Sequence, residues 1–261
     1  MLVLLHGVSS NLTRWSEFVA QTSLRGSWDL LRIDLRGNGR SAYRGRIGMV
    51  QWCSDLAAIL AAEGYARAVV AGHCLGANIA IEFAARHPDK AAGLILIEPM
   101  FREALTGTMA RIAAFRPLFV PVAGLIRGLN SLGVHRRRLM PLDLEALDRE
   151  TRATIASAGH HEALVRRYAS PLLDLRTTPS AAYLQALIAV TGRLPDLSKI
   201  RIPVLALLST ASTFSDPDIT ERGLAALEAR RVERLPARHW IPTEQPEAMR
   251  RAIERWCGEL R

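Results

Sequence analysis

Residue types able to do covalent chemistry come together in Val69-Val70-Ala71-Gly72-His73-Cys74-Leu75-Gly76-Ala77-Asn78. A short β-branched apolar run breaks at Gly72, and a helical pattern begins at once with Ile79, Ala80, Phe83 and Ala84 as its apolar positions. A strand that turns this sharply into a helix forces its turn residue into strained backbone, and small neighbours let the helix pack close. Cys74 occupies that turn with a glycine two residues to either side, the G-x-nucleophile-x-G spacing with cysteine where serine is usual. Only a thiolate attacks, and a free cysteine titrates near about 8.5, so the position must activate it. The positive end of the following helix favours the anion. The chemistry this spacing allows is nucleophilic catalysis by the thiolate; the alternative is a small buried cysteine, inert between its glycines.

The elements that must position this turn are legible around it. Apolar runs at Leu2–Leu5, Leu30–Leu35, 66–71, Leu94–Ile97, Ile202–Leu208 and Val232–Leu235 read as strands. Helical patterns alternate with them at 49–63, 75–86, 217–230 and 246–260; Gly64 stops the first and His87-Pro88 the second. Val50, Leu56, Ile59 and Leu60 are expected on the buried side of 49–63. Strands alternating with helices at this spacing predict an α/β fold, a mostly parallel central sheet with helices on both faces. Reactive groups in such sheets gather at the carboxyl ends of the strands, where His6, Asp34, Cys74 and Glu98 fall. Residues 101–196 interrupt the alternation with an Arg-rich helical stretch punctuated by Pro117, Pro121, Pro141, Pro171 and Pro179. The expected organisation is a core in two parts, 1–100 and 197–261, with a helical cap at 101–196.

Composition excludes several classes. The chain has 261 residues, 49% of them hydrophobic, and a formal net charge of +9. Its arginines are scattered rather than set among aromatic residues in a recognisable module, so nucleic acid is not an expected partner. Cys53, Cys74 and Cys257 are widely spaced, with no disulfide framework and no metal-ligand pairing. A reducing, cytoplasmic setting follows as the expectation, with no metal and no other cofactor. The opening Met-Leu-Val-Leu-Leu-His-Gly reads as a strand rather than a signal peptide, and no apolar stretch is read as reaching membrane-spanning length. Residues 101–180 hold 12 arginines against 7 acids, more than half of the excess charge.

The glycine-flanked turn at Cys74, the early His6-Gly7, and Asp34-Leu35-Arg36-Gly37-Asn38-Gly39-Arg40-Ser41, which is similar to a D-x-R-G-x-G-x-S loop, together resemble the α/β-hydrolase superfamily over nearly the whole chain. The cysteine form of the turn looks like that of dienelactone hydrolases and polyhydroxyalkanoate synthases. One departure is that the chain opens directly on the His-Gly strand, without the antiparallel strands that usually precede it. The expectation is an unusual sheet edge, covered by a partner chain or by the cap.

The resemblance implies His239, in Pro236-Ala237-Arg238-His239-Trp240, as general base. It implies an acid a few residues past the strand ending near Leu208, but Ser212 stands at that place. Two substitutes remain: Glu98, at a strand end that some members use for their acid, and Asp216, whose Asp216-Pro217 pair is also a helix N-cap signature. The oxyanion hole would be the backbone N–H groups of Leu75 and Val8. The Asp34–Ser41 loop reads as a structural turn, since it lacks the lysine and following helix of a nucleotide site. His73 is expected to point away from the nucleophile; His87 ends a helix, and His135, His160 and His161 lie in the cap. Met109, Ile112, Phe115, Leu118, Phe119, Leu125 and Ile126 either line an acyl pocket or pack helices together. His135-Arg136-Arg137-Arg138 is either a solvated face or attracts a phosphate-bearing carrier such as CoA or an acyl carrier protein.

The expected function is hydrolysis of an ester, thioester or lactone carried by a small-molecule acyl substrate. Acyl transfer to an alcohol, amine or thiol is the alternative, and a non-catalytic binding protein, suggested by Ser212, is the third.

Overall fold

A computed structural model describes residues 1–158, 168–211 and 213–260. His160, His161 and Ser212, singled out above, lie outside the described residues. The apolar runs become six strands, β1 (Leu2–Leu5), β2 (Leu30–Arg32), β3 (Ala68–His73), β4 (Ala91–Ile97), β5 (Val204–Ser209) and β6 (Arg230–Leu235). They pair in parallel in the order β2-β1-β3-β4-β5-β6. Helices flank them: α1 (Ser16–Gln21), α2 (Met49–Ala62), α3 (Leu75–Arg86), α4 (Gly107–Ser131), α5 (Leu144–Ala158), α6 (Pro171–Thr177), α7 (Ser180–Val190), α8 (Pro217–Leu224), α9 (Ile241–Glu244) and α10 (Pro246–Glu259).

The period of two along each strand splits the core in half. Val3, Leu5, Val70, Leu94, Leu96 and Ala206 pack with Trp52, Leu56 and Phe83 on the α2/α3 side. Leu2, Leu4, Val69, Ala71, Ile95 and Leu205 pack with Trp15, Phe18, Ile253 and Trp256 on the α1/α10 side. Register sets the strand ends level, Leu5 opposite Gly72 and His73 opposite Ile97. The residues that follow, His6-Gly7, Cys74 and Glu98, are therefore neighbours across one rim of the sheet.

Several expectations are corrected. The second strand stops at Arg32 instead of running to Leu35, because the Asp34 carboxylate draws the chain out of the ladder. It accepts from Leu12 N and Arg40 N, both at 2.8 Å. On α2 the buried residues are Trp52, Cys53, Leu56 and Leu60, while Val50 is 50% exposed. Val50 stands about 200° around the helix from Trp52, on the opposite side. The helix expected at 217–230 ends at Leu224, and β6 already begins at Arg230. β1 has neighbours on both sides, so the edge on its side of the sheet is β2, whose three residues offer a short template for unwanted pairing; β6 is the other edge. Finally, α4 carries Pro117 and Pro121 inside a single 25-residue helix. It is long and apolar enough, by length and composition, to cross a membrane, contrary to the reading that no stretch reaches that length.

Of the helices between β4 and β5, α5 is tied to the segment between β1 and α1 by a buried ion pair. Arg14 Nη1 donates to both carboxylate oxygens of Asp148 at 2.7 and 2.6 Å and to Thr243 Oγ1 at 2.5 Å. The Tyr168 hydroxyl donates to the same carboxylate at 2.6 Å, and Arg14 lies over its ring. Removing one partner leaves a buried charge uncompensated. Asp148→Ala is expected to cost about 3 kcal/mol of unfolding free energy, measured by urea denaturation, where a surface ion pair would cost a fraction of that.

Candidate active site

The turn at Cys74 has the predicted geometry, with φ +54° and ψ −112°. The two glycines are required by close approach. A Cβ at Gly72 would lie 2.1 Å from the Gly76 carbonyl carbon, and one at Gly76 would lie 2.5 Å from Leu5 O. Cys74 N donates to Ile97 O at 2.9 Å, and Cys74 O accepts from Ala77 N and Asn78 N. The Asn78 side chain, wholly buried, exchanges two 2.9 Å bonds with the Met100 backbone. The turn is thus fixed to both β4 and the segment after it.

The segment carrying Val8 passes directly beside this turn. A Cβ on Gly7 would sit 3.4 Å from Cys74 Cβ. His6 holds the segment, donating from Nδ1 to Gly7 O at 2.8 Å and accepting Leu35 N on Nε2 at 3.0 Å. Burial pushes its pKa down to about 4, which keeps it neutral in this bridging role. Leu75 opens α3, where a helix leaves its N–H without an intrahelical acceptor.

His239 follows β6 in a loop shaped by one carboxylate. Glu244 accepts from the N–H groups of Arg238, His239 and Trp240 at 3.1, 3.2 and 2.9 Å. This anchor was missed in the sequence; its signal is a glutamate at the end of the short helix that follows the histidine. The imidazole is 3% exposed. Its Nδ1 lies 3.3 Å from Glu98 Oε2, and the ring lines the same cavity as Cys74. The other Glu98 oxygen accepts Ser209 N at 2.5 Å. Glu98 is itself in a left-handed conformation, φ +51°. Burial disfavours the imidazolium, but hydrogen bonds to Cys74 and Glu98, together with their charges, outweigh it and push His239 up to about 10.

Of the two candidate acids, the structure brings Glu98 to His239 and not Asp216. The Asp216 carboxylate accepts from Asp218 N and Ile219 N at 2.9 and 3.0 Å and caps α8. His73 does not point away as expected. β3 runs through it, so it continues the Val69/Ala71 face toward the His239 loop and donates from Nε2 to His239 O at 3.0 Å. Burial first, and then the nearby His239 charge, hold its pKa well below the usual histidine range.

Cys74, His73 and His239 line a cavity of about 400 Å³ together with Val8, Met109, Ile112, Leu173, Phe214 and Trp240. Phe214 meets the His239 ring edge-on at 4.9 Å between centroids. Of the apolar residues expected to line a pocket or pack helices, Met109 and Ile112 line it, whereas Phe115, Leu118 and Leu125 are exposed. Asp174 also faces the cavity; burial pushes its pKa up to about 7, against a hydrogen bond from Tyr183. A carboxyl raised in the folded state binds a proton there that the unfolded chain has already released, so stability falls as pH rises from about 4 to about 7. Asp174→Asn is expected to raise the melting temperature at pH 8, by the equivalent of ~2 kcal/mol, and to leave it unchanged at pH 4.

A parallel sheet with a strained strand-to-helix turn and a buried histidine–carboxylate pair at its carboxyl rim defines an α/β-hydrolase fold. The Hydrolase_4 family model (serine aminopeptidase, S33) matches residues 1–241, and the chain belongs to this family. It is 26% identical over 227 residues to 2-(acetamidomethylene)succinate hydrolase of Mesorhizobium japonicum, covering 78% of this chain and 80% of the relative. It is 33% identical over 108 residues to epoxide hydrolase B of Mycobacterium tuberculosis, covering 39% of this chain and 29% of that relative. The chain thus spans less than a third of that curated relative. Among solved structures, an esterase from Thermogutta terrifontis superposes with a TM-score of 0.71 at 21% identity, over 99% of this chain and 89% of the other. The enol-lactonase of Burkholderia xenovorans LB400 gives 0.69 at 20% identity, over 98% and 90%.

Proposed function

We propose that this protein hydrolyses an ester, thioester or lactone through an acyl-cysteine intermediate, with Cys74 as nucleophile, His239 as general base and Glu98 orienting the imidazole. The observation that carries this reading is that Cys74 and His239 line one cavity, with Glu98 Oε2 3.3 Å behind the imidazole. The thiol gives its proton to His239, whose charged form the site favours, and the sulfur attacks the acyl carbon. The carbonyl electron pair moves onto oxygen, to be received by the N–H groups of Leu75 and Val8. Collapse of this adduct expels the alcohol or thiol, which takes the proton from His239. Water then gives a proton to His239 and attacks the acyl-cysteine, releasing the carboxylic acid and restoring the thiol.

The apolar wall formed by Met109, Ile112 and Phe214 supports an acyl chain as the bound group. Sharing a fold with an esterase and an enol-lactonase supports the same substrate class. The test is a panel of aryl esters, thioesters and lactones followed by intact-mass measurement and peptide mapping. A transient mass gain equal to the acyl group, mapped to Cys74 and discharged as free acid, is expected. Discharge mainly onto an added alcohol, amine or thiol would assign acyl transfer instead. An adduct on another residue, or no reaction with any donor, would overturn the proposal.

A further inference from the structure

One side of α4 is uncovered. Phe115, Leu118, Val122, Leu125, Leu129 and Leu132 recur at intervals of three and four, the spacing of a single helical face, and are between 41 and 78% exposed. The other side is already engaged. α4 packs along α7, where Arg116 Nε donates to Ile188 O and Arg127 Nη1 to Gln185 Oε1, both at 3.1 Å. Residues 104–142 contain six arginines and no Asp or Glu, and Arg111, Arg136, Arg137 and Arg138 are exposed.

We propose that this face docks on the surface of an anionic phospholipid bilayer, with α4 lying in the plane of the interface. An apolar ridge set among cations matches such a surface in both respects, acyl chains for the leucines and phosphate for the arginines. A soluble phosphate-bearing carrier would satisfy the arginines and leave the ridge wet. Crossing the bilayer would strip α4 of its bonds to α7 and put Arg116 and Arg127 into hydrocarbon, so the helix lies on the membrane rather than through it. The proposal does not depend on which residue is the nucleophile. Its consequence for the site is positional: Met109 and Ile112, on the first turns of the same helix, line the cavity that holds Cys74.

The test is flotation of the full chain with vesicles in which about a third of the lipid is phosphatidylglycerol, against pure phosphatidylcholine. Co-flotation with the anionic vesicles, falling as salt is raised, is expected. L118E/L125E is expected to reduce the bound fraction about tenfold, with melting temperature and turnover of a water-soluble ester unchanged, since neither residue touches the cavity. R136Q/R137Q/R138Q is expected to weaken binding and flatten its salt dependence. Absence of co-flotation overturns the proposal, as does undiminished binding by L118E/L125E. A wild-type dimer in light scattering that L118E/L125E converts to monomer, without vesicle binding, would assign the face to a second copy and likewise overturn it.

Discussion

Cys74→Ala is expected to lower kcat/KM by about 10⁴-fold or more and to abolish the acyl adduct, while leaving the protein as stable as before. Alanine carries the same Cβ through the φ of +54° at this turn, so the backbone strain is the same in both proteins. The deletion removes a single sulfur atom that is almost wholly enclosed, 6% exposed. Its effect on packing is therefore small beside its effect on chemistry. An unchanged thermal midpoint with residual turnover at the level of the oxyanion donors alone is the signature of a lost nucleophile. Retained turnover in the alanine variant would remove Cys74 from the reaction altogether.

The second large effect is expected at Glu98. Glu98→Gln keeps the side chain's shape and an oxygen for Ser209 N, but removes the charge beside His239 Nδ1. A fall of about 10²–10⁴-fold in kcat/KM is expected, by analogy with loss of the carboxylate behind other catalytic imidazoles. The pH profile supplies the readout that a merely structural role would not move. Glu98 is one of the groups holding the His239 pKa up near 10, so the limb that reports the imidazole shifts to lower pH in the variant. Asp216→Asn is the control, because asparagine caps a helix as well as aspartate does and α8 loses nothing. The reverse pattern, with Asp216→Asn inactive and Glu98→Gln active, would transfer the orienting role to the loop after β5.

How much of this was legible in the sequence depends on what each residue needs in order to be recognised. Cys74 announces itself because the hydrophobic period switches from two to helical at a glycine, and glycines at two before and two after are demanded by backbone contacts that sequence spacing encodes directly. Glu98 was readable as a strand-end position and as the preferred acid, with the N-cap signature counting against Asp216, but the contact that decides between them was not. Only the folded chain shows that the Asp216 carboxylate is already spent on two N–H groups of α8. His73 was misjudged because β3 runs two residues past the end expected at 71, and the alternation of the strand carries the ring to the His239 side. Glu244 was missed, since its one signal, a glutamate a few residues past the histidine, does not say that the carboxylate collects three successive N–H groups. The face of α4 was misread for a further reason. Apolar residues at helical spacing state that a helix has an oily side, and say nothing of what lies against it.

The carboxylate that meets His239 travels on β4, the immediate neighbour of the strand that carries Cys74, and a single hydrogen bond from Cys74 N to Ile97 O joins the two left-handed turns. Two of the three proposed reacting partners therefore share one rigid bracket, while the crossing from β5 to α8 adds the Ser209 amide behind Glu98 and the Phe214 ring against the imidazole. Phe214 becomes the natural place to reshape substrate preference, because exchanging that ring alters the cavity wall and leaves the bracket untouched.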